Sequence, residues 1–175
     1  MASKAYIGID PGSKGFIALH TEEVTQFWSL ADNDYYKVSD ILSEIKTAYP
    51  NVMCVMESVH ALYGSSAKAT FSFGEINGLL KGLLIANKIP YSLVEPKKWQ
   101  AEIWDNKDIV ASYKKVTIKG KEVTKKEINT KLTSLNSAKR LYPNVDFRKT
   151  DRCKNFDDNK VDSLLLATYA KRKNL

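Results

Sequence analysis

Apolar residues fall in short unbroken runs in the first part of this chain and at helical spacing in much of the rest. Residues 5–10 and 52–57 are nearly continuous apolar runs, the pattern of strands buried on both faces. Phe16–His20 and residues 24–28, separated by the polar turn Thr21-Glu22-Glu23, predict two further strands that form an antiparallel meander with the first. Ile41, Leu42, Ile45 and Ala48 recur at helical spacing within residues 39–49, with Ser39 and Asp40 as caps and Pro50-Asn51 as the stop. A Gly/Ser-containing loop at 60–68 leads into a long helix through Ile76, Leu79, Leu80, Leu83, Leu84 and Ile85, and Pro90 opens a fifth strand over Tyr91–Val94. The remainder reads as helical, with one helix over 128–141 and another from Asp158 or Asn159 to Lys171. The exception is 105–126, where β-branched residues flank Lys119-Gly120-Lys121 and predict a small exposed hairpin. Phe71 and Phe73, at near-helical spacing, are expected to be packing residues.

Apolar strands joined through helices imply that part of the sheet is parallel and covered on both faces. The expected architecture is α/β: a five-stranded mixed sheet, three antiparallel strands followed by two parallel ones, flanked by helices. No repeat or linker divides the 175 residues, so one domain spanning 1–175 is expected, with a lysine-rich insertion around 105–127.

Charge narrows the choice of partner. Lys and Arg number 27 against 20 for Asp and Glu, a net charge of +7. The basic residues cluster from Lys114 to Lys131 and again from Arg148 to Lys154, which favours a polyanion over simple solubility. Two cysteines, Cys54 and Cys153, make no disulfide framework and suit a reducing compartment. No apolar run reaches membrane-spanning length, and Met1-Ala2-Ser3-Lys4 leads straight into a strand without a signal-peptide pattern. A soluble cytoplasmic protein with no membrane partner is expected, in the host cell's cytoplasm for a phage-encoded chain.

Four acids carry the candidate chemistry. Asp10 and Glu57 each close an apolar strand, and Asp158 and Asp162 stand four apart at the start of an apolar helix. Asp10 also suits a turn, and helix dipoles favour acids in a first turn. Glu57 requires more: a buried carboxylate is costly without a charged partner. Asp158 and Asp162 share a helical face, where like charges destabilise unless a cation compensates. If the first and fourth strands are parallel neighbours, their C-terminal ends adjoin, and the crevice there is the usual functional site of an open α/β sheet. A final helix crossing the sheet would add its N-terminal acids. Such a site would hold two Mg²⁺ about 3.5–4 Å apart, one activating water and the other stabilising the departing 3′ oxygen. Hard oxygen donors suit Mg²⁺, with Mn²⁺ able to substitute, and no Cys/His set suggests zinc.

These same residues bring the chain to resemble the RuvC-type Holliday junction resolvases of the ribonuclease H-like superfamily, in the phage and small bacterial branch. Ile7-Gly8-Ile9-Asp10-Pro11-Gly12 is similar to their opening motif, and Val55-Met56-Glu57-Ser58-Val59 to the second. Thr70-Phe71-Ser72-Phe73-Gly74 with Gly78 and Gly82, then Val94-Glu95-Pro96-Lys97-Lys98-Trp99, resemble blocks of that branch, and residues 158–167 resemble the last motif. The resemblance implies a homodimer that cuts four-way DNA junctions with Mg²⁺, using Asp10, Glu57 and Asp162 as metal ligands. Some relatives keep the fourth acid where Asn159 stands here and others at the position of Asp158; Asp158 is the choice, with Asp157 beside it able to assist or substitute. Lys131 matches the family's catalytic lysine, and Lys98 is the second candidate, with a phosphate contact as its plainer role. Where many relatives carry an aromatic residue that stacks on unpaired bases, this chain has His60, with Tyr63 further on. Lys114, Lys115, Lys119 and Lys121 are expected to grip DNA.

Three alternatives stand beside a junction nuclease. An RNA–DNA hybrid nuclease would keep the chemistry and change the substrate. A non-catalytic junction-binding module would reduce the acids to structural roles. The sugar kinase and actin-like ATPases also open with an Asp-x-Gly strand, but need two such domains to close over a nucleotide.

Overall fold

The computed structural model describes residues 4–58, 66–118 and 121–175. His60, Tyr63 and Lys119 lie outside that range. Five strands form one sheet: β1 (Tyr6–Asp10), β2 (Phe16–His20), β3 (Thr25–Ser29), β4 (Met53–Glu57) and β5 (Tyr91–Val94). Their spatial order is β3-β2-β1-β4-β5. The β1–β2 and β2–β3 pairs are antiparallel, while β1–β4 and β4–β5 are parallel. This is the mixed sheet the hydrophobic pattern predicts.

The two faces have different covers. Ile7, Ile9, Ile17, Leu19, Cys54 and Met56 belong to a core shared with α1 (Tyr35–Ala48) and α2 (Ala67–Ala86). The alternate residues Tyr6, Ala18 and Val55 belong to the other core, shared with α3 (Pro96–Ile103), α4 (Thr130–Leu141) and α5 (Asp158–Arg172). Helix α5 lies between the sheet and α3 and α4, so Val161 and residues 163–170 are all buried, a helix apolar on nearly every side. Its close seat on the sheet depends on Gly8. A Cβ there would lie 1.9 Å from the Ser163 carbonyl oxygen and 2.5 Å from the Ala167 nitrogen. No helix among the described residues is long and apolar enough to cross a membrane.

Several boundaries differ from expectation. Helix α1 starts at Tyr35, because the Asp34 side chain accepts from the Lys37 N–H at 2.8 Å and caps it ahead of Ser39 and Asp40. Helix α4 starts two residues later than 128, where the Asn129 side chain caps it by accepting from Leu132 N–H. The hairpin is real but begins later than 105: β6 (Ala111–Ile118) pairs antiparallel with β7 (Lys121–Ile128) as a separate two-stranded sheet. Before it, Asn106–Asp108 forms a 3-10 turn. Phe71 does not pack as expected; it is 77% exposed on α2, with Ile85 at 64% on the same helix.

Candidate active site

Strand alternation decides where the first two acids point. Asp10 has the parity of Tyr6 and Gly8, and Glu57 that of Met53 and Val55, so both lie on the face covered by α5. The parallel register pairs Ile9 with Met56, so Asp10 and Glu57 occupy the next step, at the C-terminal ends of adjacent strands. Helix α5 crosses that face with Asp158 and Asp162 in its first turns. The turn after β1 folds back tightly: a Cβ on Gly15 would fall 2.1 Å from the Asp10 carbonyl oxygen. Asn159 ties α5 to this turn by donating its amide to the Lys14 carbonyl at 3.0 Å.

The acids feel one another. Asp10 is held well above the usual carboxylate range, first by burial and then by the charges of Asp162, Glu57, Asp158 and Asp157. Burial pushes Asp162 up to about 7; the Ser134 hydroxyl opposes this, Glu57 and Asp158 reinforce it, and Lys131 opposes it. Burial also raises Glu57, against a hydrogen bond from Trp99. Four acids from β1, β4 and α5 thus share one electrostatic neighbourhood.

Each has found a different accommodation. The Trp99 indole N–H donates to Glu57 Oε1 at 2.8 Å, from a ring that is fully buried. The partner expected for Glu57 was a charge; it is a neutral donor. Asp158 Oδ2 pairs with Lys131 Nζ at 2.5 Å. That contact, with the charges of Asp162 and Asp157, raises the Lys131 pKa. Asp157 serves as the N-cap of α5, its Oδ1 accepting from the Asn159 and Lys160 N–H groups. Asp162 Oδ1 alone of the four acids is sealed from solvent with no hydrogen-bond partner. The other such atoms among the described residues, Ser29 Oγ and Trp104 Nε1, are neutral.

As the side chains stand, no three carboxylate, imidazole or thiol groups among the described residues form a geometry that would hold a metal ion. Two of the acids are turned to protein partners, Lys131 and Trp99. The donor chemistry still fits a hard divalent cation: all four groups are carboxylates, and one oxygen is buried with no hydrogen-bond partner. One oxygen of Asp157 is committed to two backbone N–H groups, and one of Asp158 to Lys131.

The other sequence candidates divide. Lys131 stands at the acids. Lys98 is exposed on α3, beside the buried Trp99. Lys114 and Lys115 lie on β6, and Lys121 opens β7. Sequence reasoning missed two contacts. Trp99 enters the sequence reading only as part of a motif, and Ser134 not at all. The first had a usable signal: a buried glutamate needs a donor, and the indole N–H is one of few side-chain donors that core positions admit.

No protein-family model and no curated protein matches the sequence. Solved structures do match. Thermus thermophilus RuvC in complex with a Holliday junction substrate aligns over 97% of this chain and 96% of its own, at 9% identity and a TM-score of 0.57. A second Thermus thermophilus RuvC structure aligns over the same shares at 10% identity and a TM-score of 0.52. Each alignment runs over nearly the whole of both chains, so the fold of this chain is the RuvC fold.

Proposed function

We propose that this protein is a divalent-metal-dependent endodeoxyribonuclease that cuts four-way and other branched DNA junctions, acting as a homodimer. The observation that carries the reading is the buried, unpartnered Asp162 Oδ1 amid the charges of Glu57, Asp158 and Asp10. An arrangement so unfavourable by itself is relieved by cations. The RuvC fold, and the junction DNA bound by the similar Thermus protein, favour a branched substrate.

Asp10, Glu57, Asp158 and Asp162 would hold two Mg²⁺, with Mn²⁺ able to replace them. The bound ions supply Lewis-acid stabilisation at the scissile phosphate and activate water for attack. The protein contributes placement and charge. Trp99 fixes one oxygen of Glu57 and with it the carboxylate's position. Lys131 neutralises Asp158; with that carboxylate serving as a metal ligand, the Lys131 ammonium would be free to meet charge developing on the phosphate. Trp99→Phe keeps a large apolar ring and removes the donor. It is expected to weaken Mg²⁺ affinity by roughly 10–100-fold, read by titration calorimetry; undiminished affinity would take Trp99 out of the site.

Two symmetric cuts call for two related active sites. The exposed face of α2 suits a second copy. Phe71 and Ile85 are exposed there, and a Cβ at Gly74, Gly78 or Gly82 would meet nothing within 4 Å. The deciding assay incubates the protein with a four-way junction, a linear duplex and an RNA–DNA hybrid, with and without Mg²⁺, alongside Asp10→Asn and a sedimentation measurement. Expected are Mg²⁺-dependent paired nicks in the junction, loss of cutting but not of junction binding in Asp10→Asn, and the mass of a dimer. Preference for the hybrid would transfer the protein to the ribonuclease H activity; cutting by Asp10→Asn would remove that residue from the site.

A further inference from the structure

We propose that the β6–β7 hairpin is a rigidly rooted arm whose Lys114–Lys125 face runs along the backbone of the DNA duplex leading to the active site. The inference rests on the nuclease reading and adds to it a surface and a direction. Residues 111–128 carry six lysines and two glutamates, a local excess of four positive charges. Among the described residues the two strands pair only with each other. A two-stranded ribbon standing by itself is marginal in water, so an exposed one this basic suits a polyanionic partner.

The root explains how a projecting ribbon can hold a direction. The Asn129 N–H donates to the Val110 carbonyl at 2.8 Å, closing the base of the arm, and the Val110 N–H donates to Thr133 Oγ1 at 3.1 Å. Just before it, the buried Asp108 is gripped from α4: Arg140 donates to both of its carboxylate oxygens and Ser137 Oγ donates to Oδ2 at 2.8 Å. Asn136 adds a bond to the Asp108 carbonyl. The arm is thus fixed to the helix that carries Lys131.

Register separates its two sides. Lys114 faces Lys125 directly across the strands, with Ser112 opposite Glu127 and Val116 opposite Val123 on that side. Lys115 opposite Thr124 and Tyr113 opposite Lys126 lie on the other. Directly opposed like charges weaken a strand pair; Lys114 recovers part of the loss by pairing with Glu127, and a phosphate backbone would relieve the rest. The same side continues into the site. A cleft of about 380 Å³ is lined by Ser112, Lys114 and Glu127 of the arm with Asn129, Thr130 and Lys131 at the start of α4. Lys131 in turn touches Asp158. A basic path therefore leads from the hairpin to the carboxylates.

The test compares Lys114→Ala/Lys125→Ala with Lys115→Ala/Lys126→Ala, two exposed pairs that remove equal charge from opposite sides. Junction affinity is measured against salt in EDTA, where binding is read without cutting. Each phosphate contact contributes roughly 0.9 to the slope of log affinity on log salt. The first pair is expected to lose about 1.8 of slope and the second less than half as much. Equal losses, or none in either, overturn the assignment of the face. A third protein joins Val110 to Asn129 through Gly-Gly, across the gap the root hydrogen bond already closes. It is expected to remain folded, keep its oligomeric state and lose at least about tenfold in junction affinity. An altered oligomeric state with an unaltered salt slope would make the arm a contact between protein copies and end the proposal. A wild-type protein that binds the junction without cutting it would sink the nuclease reading alone.

Discussion

Asp162→Asn is expected to make the cation-free protein more stable at pH 8 while abolishing DNA cleavage. The wild-type carboxylate has one oxygen sealed away without a partner, and burial lifts its pKa from 3.8 to about 7. An acid raised in the folded state binds its proton more tightly there than in the unfolded chain. Stability from that proton is therefore lost as pH climbs from about 4 to about 7, and the folded state then bears a penalty of at most about 4 kcal/mol. Asparagine never ionises, so the gain over wild type should be absent near pH 4 and full at pH 8. Melting curves in EDTA across that range check it. Added Mg²⁺ should raise the wild-type melting temperature most at pH 8 and leave the variant nearly unmoved. A variant that melts below wild type at pH 8 would show that Asp162 is satisfied without a cation.

Gly8→Ala should be severely destabilising, since its Cβ would make the shortest contact of any described glycine. The added carbon would press on the Ser163 carbonyl and the Ala167 nitrogen, with the Leu166 Cβ 3.0 Å away. Two of the three are helix backbone, which no rotamer change can move aside, so α5 must lift from the sheet. Overpacking of a well-filled core ordinarily costs about 1–3 kcal/mol, and a backbone collision at the centre of the domain belongs at or above the top of that range. The same displacement carries Asp158 and Asp162 away from Asp10 and Glu57, so cleavage should fall by more than the folded fraction does. Urea denaturation gives the stability change, and activity per folded molecule gives the second. A variant as stable and active as wild type would mean that α5 does not rest on β1 as closely as described.

The chain announces its catalytic candidates because burial and charge conflict locally. An acid at the end of an apolar strand is visible in Ile7-Gly8-Ile9-Asp10 and in Val55-Met56-Glu57, and period-two alternation then assigns both to one face. What sequence conceals is long-range pairing. Glu57 meets Trp99 across 42 residues, and Asp108 meets Arg140 across 32; neither link leaves a local periodicity. That second link is also why the hairpin starts after Asp108 and not at 105. Phe71 misled for another reason: aromatic residues at helical spacing ordinarily mark a core, and here the ring faces outward.

Because side chains on β1 and β4 alternate between two differently covered faces, the length of each strand is constrained as strictly as its composition. One residue inserted ahead of Asp10 within β1 would swing that acid toward α1 and α2, among Ile9 and Met56, and would expel an isoleucine toward the α5 side. In any descendant of this sequence, β1 and β4 must therefore change by substitution alone.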